Sequence, residues 1–104
     1  MFVSVIVEPG GMDSAKSLVN ILTMYGFKKI QRSCWECMSI NEETVSSLKK
    51  DVDRVTDYYD KIRMYQFPVN GLFVITELKQ KKWKKAQFKA PDRPASPSDR
   101  APKY

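Results

Sequence analysis

Histidine is missing altogether from these 104 residues, and cysteine occurs only twice. Without histidine there is no imidazole to ligate a metal or to act as a general base near neutral pH. Two cysteines cannot complete a tetrahedral zinc site, and they are too few for a disulfide framework. No apolar run approaches the roughly 20 residues of a membrane span. The opening stretch "MFVSVIVEPGG" lacks the basic segment and small-residue cleavage site of a secretory signal, so a cytoplasmic location is expected, with no membrane partner.

What is present suits one small domain. Hydrophobic residues make up 42% of the chain, enough for a modest core. Charge is placed unevenly. Residues 1–77 hold nine Lys/Arg against ten Asp/Glu, whereas residues 78–104 hold nine against two. The basic excess of +6 therefore sits in the last quarter, among aromatics, and that pattern favours a polyanionic partner. A solvated, solubilising segment has the same composition. From residue 91 on, "PDRPASPSDRAPKY" is rich in Pro, Ser and charge and is expected to be a disordered tail behind a domain spanning 1–90.

Periodicity sets the elements. Phe2 to Val7 is β-rich, and Pro9-Gly10-Gly11 breaks it. Ala15, Leu18, Val19, Leu22 and Tyr25 recur at helical spacing, with Gly26 where a helix terminator belongs, which predicts a helix over about 12–25. Phe27 to Ile40 has neither Gly nor Pro and reads as one extended strand. Asn41 is a good N-cap, and Val45, Leu48, Val52, Val55 and Tyr59 form one stripe, predicting a helix over about 42–58 with Tyr58 and Tyr59 as its packing residues. Lys61 to Phe67 alternates as a strand, Pro68 to Gly71 turns, and Leu72 to Thr76 is a further strand. Glu77 to Lys85 reads as a turn or short helix, and a last short strand falls near Ala86 to Ala90.

This succession is read as an α+β, ferredoxin-like β-α-β-β-α-β plan with an extra C-terminal strand. Both helices would cover one face of an antiparallel sheet. In so small a chain the other, apolar face invites a second copy or a nucleic acid.

Cys34-Trp35-Glu36-Cys37 has the spacing of a redox pair or half a zinc site. Within a strand, residues three apart point to opposite faces, so these thiols cannot converge without a bulge. A structural role in the sheet is the better reading.

"YGFKKIQRSCWE", from Tyr25 to Glu36, is similar to a run found in the CRISPR-associated protein 2 family, the small subunit of the spacer-acquisition complex. "KIRMYQF" resembles that family's third strand, and "GLFVITELKQKKWKKAQF" its later strands. The resemblance covers about residues 1–90. It implies a homodimer whose open sheet faces pack together, with the last strand swapped onto the partner's sheet. Arg63, Trp83 and Phe88 are then the candidate interface residues. It also implies a structural role, in which the dimer bridges CRISPR integrase subunits and holds prespacer duplex DNA by its backbone.

Many members of that family end the first strand in Asp and are assigned metal-dependent endonuclease activity on RNA or DNA. Here the position is Glu8, the candidate catalytic and metal-ligating residue. Two copies facing across a dimer could share one Mg²⁺ and activate a water. The extra methylene works against the tight octahedral geometry that Mg²⁺ demands, so whether the chain is an enzyme stays open. The candidate nucleic-acid contacts are Lys16, Lys28, Lys29, Arg32, Lys81, Lys82, Lys84 and Lys85; phosphate contacts require charge rather than base-edge geometry. A third possibility is an RNA-recognition-motif module, which shares the element order but needs aromatics on its two central strands.

Overall fold

The computed structural model describes residues 1–89. The elements run β1 (Phe2–Glu8), α1 (Met12–Met24), β2 (Lys28–Gln31), β3 (Cys34–Cys37), α2 (Glu42–Val55), β4 (Lys61–Val69), β5 (Leu72–Lys79) and β6 (Lys82–Lys89). They build one sheet in the order β2-β3-β1-β4-β5-β6, and every neighbouring pair is antiparallel. The first four strands in sequence reproduce the ferredoxin-like arrangement, and β5 and β6 extend it as a meander.

The expected single strand over 27–40 is instead a hairpin. The chain turns at Arg32-Ser33, and β2 folds back on β3 with a register shift beside Ile30. This hairpin supplies the pair of strands between the helices that the plan requires. It also settles the geometry of the two cysteines. Cys37 is buried beside Trp35 on the helix-facing side of β3, and Cys34 faces the other way, its Sγ 3.5 Å from Ser4 Oγ. Both are free thiols.

Helix ends follow from local chemistry. Past α1, Gly26 takes φ +86°, Gly26 N–H donates to Thr23 O and Phe27 N–H to Leu22 O, and Phe27 and Leu22 both enter the core. That double hydrogen bond with its apolar contact is a Schellman stop. At the start of α2 the Asn41 side chain accepts from Thr44 N–H at 2.8 Å, worth about 1 kcal/mol. The helix ends at Val55 rather than 58, because Thr56 turns extended and its hydroxyl bonds back to Val52 O. Tyr58 and Tyr59 therefore do not pack as helix residues. They sit exposed in the following loop, ring edge to ring face.

The region from 68 onward also departs from expectation. Pro68 lies inside β4, where the register to β5 shifts, and only Asn70 and Gly71 turn, both at positive φ. Pro tolerates such a bulge because no ladder donor is needed there. Glu77 to Lys85 is no helix: β5 runs to Lys79, Gln80 and Lys81 reverse the chain, and β6 begins at Lys82. The tail expected from residue 91 lies outside the described residues.

Both helices cover one face of the sheet. Val3, Val5 and Val7 of β1, Ile62 and Met64 of β4, and Leu78 of β5 interlock there with Leu18 and Leu22 of α1 and Val45, Leu48 and Val52 of α2. The loops at one end are fastened by Asp60, whose fully buried carboxylate accepts Gly10 N–H at 2.6 Å and Asp57 N–H at 2.7 Å. Gly10 is required for this approach, since a Cβ there would lie 2.5 Å from the Cβ of Tyr59.

Candidate nucleic-acid interface

Strand alternation decides what the uncovered face offers. Phe67, Phe73 and Phe88 come from three adjacent strands and stack in sequence, with ring centroids 4.1 and 5.4 Å apart. On the same face Arg63 Nη1 donates to Glu77 at 2.7 Å, and its Nε donates to the Tyr65 hydroxyl at 2.9 Å. The Tyr65 hydroxyl, and after it Glu77, hold the guanidinium pKa above its ordinary value. Of the three expected interface residues, Arg63 and Phe88 share this face. Trp83 does not. It stands opposite Leu78, packs against the core and donates its indole N–H to Asp53 Oδ1 at 3.2 Å. The central strands β1 and β3 present Phe2, Ser4, Ile6, Cys34 and Glu36 to the open side, so Phe2 is the one aromatic they offer where an RNA-recognition motif carries a platform of several.

The expected basic contacts separate into two groups at opposite edges of the sheet. Lys29 and Arg32 line a hollow at the β2 edge together with Ala15 and Val19 of α1, and Lys16 lines the adjoining one with the same two residues. Lys28 stands across from Glu36. At the β6 edge, the run of lysines is sorted by the period of the strand. Lys81, in the turn, reaches Asp53 O and Thr56 O and pairs with Asp53 Oδ1 at 3.3 Å. It therefore caps the negative end of α2 and is committed to the fold. Lys82 and Lys84 share the parity of Phe88, while Lys85 falls on the helix side, opposite Thr76.

Glu8 is exposed at the end of β1, directly across from Lys61. It lines a hollow of about 300 Å³ with Lys61, Arg63, Glu77 and Lys79. No group of three His, Cys, Asp or Glu side chains able to hold a metal occurs among the described residues. Arg63 and Glu77 are paired with one another there, which leaves Lys61 and Lys79 beside the Glu8 carboxylate. One copy supplies Glu8 alone to the Mg²⁺ site expected across a dimer, and no reaction step is assigned through a metal.

Sequence reasoning passed over Lys49, Lys50 and Asp53 on α2, which look like an ordinary solvated helix face until β6 is laid beside them. The fold places all three with Thr76, Trp83, Lys84 and Lys85 around a groove of about 450 Å³. It also passed over Asp60. Burial pushes that carboxyl pKa up, but the N–H groups of Gly10 and Asp57 and the side chains of Ser14 and Asp57 outweigh burial and hold it below the usual range. An acid just before a strand gives no sequence signal of that kind.

A two-helix, ferredoxin-like sheet with an uncovered aromatic face and basic edges defines the class of molecule. Within that class, the family model of CRISPR associated protein Cas2 matches residues 7–75, more than half of the chain, and the chain belongs to that family. Among solved structures it is similar to the crystal structure of a hypothetical protein, TT1823, from Thermus thermophilus, with a TM-score of 0.57 and 28% sequence identity over 68% of this chain and 83% of that one. No curated protein matches the chain. No described helix is long and apolar enough to cross a membrane.

Proposed function

We propose that this CRISPR-associated protein acts as a homodimeric structural subunit of the spacer-integration complex. It bridges integrase subunits in the cytoplasm and holds prespacer duplex DNA through phosphate contacts. The observation that carries this reading is the open sheet face. The stacked Phe67, Phe73 and Phe88 lie there beside Phe2, Ile75 and Ala86 on β1, β5 and β6, a surface that water solvates poorly and a second copy would cover. Lys16, Lys29 and Arg32 at the β2 edge and Lys85 on the helix side lie off that face and need only charge to accept DNA of any sequence. β6 lies on β5 of its own chain; a swapped dimer would lay the same strand on the partner's β5.

Light scattering on the full chain, followed by mixing with the co-encoded CRISPR integrase and duplex DNA, tests this. A dimer that forms a stable ternary complex, with DNA affinity falling steeply as salt rises, is expected. A monomer, or a dimer that captures neither integrase nor DNA, overturns it.

A further inference from the structure

The groove between α2 and β6 collects more positive charge than the fold uses. Lys49, Lys50, Lys84 and Lys85 line it, and none of the four takes part in an ion pair among the described residues. The one acid in the lining, Asp53, is already engaged by Lys81 and by the indole N–H of Trp83. Lys49 and Lys85 also border a smaller adjoining hollow with Glu42, and Glu42 pairs with neither. Burial, and then repulsion from Lys85, press the Lys49 pKa down. Two cations from different elements thus face one another without a counterion, an arrangement that costs stability and that an anion would relieve.

The remaining lining narrows the ligand. Trp83 offers an aromatic wall whose only donor is taken, and Thr76 stands opposite Lys85. A compact, multiply charged acceptor suits several ammonium donors at once, as a phosphate does. The rest of the chain is a poor occupant. Residues 90–104 carry Asp92 and Asp99 against Arg93, Arg100 and Lys103. β6 also lies beyond the stretch 7–75 that the family model matches.

We propose that the α2–β6 groove seats a backbone phosphate of nucleic acid between Lys49 and Lys85, with Lys50 of α2 flanking it. The proposal rests on the reading of the chain as a nucleic-acid-binding subunit. It adds a contact surface on the helix side of the sheet, facing away from the aromatic face.

The test is fluorescence anisotropy of the full chain with a labelled 30-base-pair duplex, and separately with one of its strands, across a salt series. The parent is compared with the double variant Lys49→Gln, Lys85→Gln. Loss of about tenfold in affinity for either probe, with a salt slope shallower by about one to two, is expected. The unfolding midpoint of the variant should equal or exceed the parent's, because an uncompensated half-buried charge is removed. Unchanged affinity overturns the proposal, as does weaker binding at an unchanged salt slope. Preference of the parent for poly-glutamate over both probes at the same salt also overturns it, and assigns the groove to an acidic polypeptide. If the parent dimerises and captures integrase but binds neither probe, the groove fails while the assembly stands. If the lysines matter but the parent is a monomer, the groove stands and the assembly fails.

Discussion

The two faces of the sheet are made by alternate residues of the same strands, yet they behave as different materials. On the helix side, Val3, Val5, Leu48, Ile62, Met64 and Leu78 are almost fully removed from water, and no buried side-chain polar atom lacks a partner among the described residues. On the open side, three phenylalanines stack across β4, β5 and β6, and an exposed ion pair, Arg63 with Glu77, lies alongside. The first surface stabilises one chain. The second leaves apolar rings open to water, and that exposure is what the proposed assembly rests on. A single period of two in the sequence therefore encodes both a core and an uncovered face, and which is which depends on where the two helices lie.

The sharpest way to break that contrast is to empty each face in turn. Leu48→Ala on the helix side should cost about 3–5 kcal/mol in thermal or denaturant unfolding, since a fully buried side chain leaves a cavity. A loss below that of an open-face substitution would contradict the assignment of the core. Asp60→Asn, at the rim of the same face, should cost about 2–3 kcal/mol near neutral pH through two charge-assisted hydrogen bonds. The folded carboxyl pKa is depressed, so its contribution is complete above the unfolded pKa and fades as pH falls through the folded one. Parent and variant should therefore converge in acid, and a constant gap down to the lowest measurable pH would refute the linkage.

On the open face, Phe73→Ala should lower chain stability by only about 1–2 kcal/mol, from two stacked pairs. It should shift the proposed dimer toward monomer in sedimentation or light scattering, and a dimer of unaltered affinity would remove this face from the proposed interface. Glu77→Gln beside it is expected to change stability by no more than about 1 kcal/mol, as exposed ion pairs do. The smallest effect belongs to Glu8→Gln. Unfolding midpoints in Mg²⁺ and in chelator should coincide for both parent and variant, and a midpoint raised by Mg²⁺ only in the parent would restore Glu8 as a metal ligand.

Much of this architecture was legible because its signals are local. Gly26 marks the end of α1 and Asn41 the start of α2, and both act through hydrogen bonds within a few residues. Asn70-Gly71 is a turn pair with positive φ at both positions, as its composition demands. The missed features are those where tertiary pairing overrides composition. Arg32-Ser33 turns without glycine, proline or asparagine, so the β2–β3 hairpin stayed hidden. Gln80-Lys81 reverses the chain with no turn residue at all. Missing that turn also hid the candidate groove, because Lys49 and Lys85 meet only once β6 is folded beside α2. The lysines from 81 to 85 read as one patch, whereas the strand's alternation divides them among a helix cap, the open face and the groove.

The reversal at Gln80-Lys81 has a mechanical implication. Both residues bear side chains yet occupy the left-handed region, at φ 54° and 59°, a posture costing L-residues about 1–2 kcal/mol each. Lys81 offsets part of that by gripping the end of α2, but Gln80 has no such recompense, so the bend resembles a lightly wound spring. Straightening it would release the tension and free the terminal strand to be lent to a neighbouring molecule, making this bend the natural hinge for any exchange between copies.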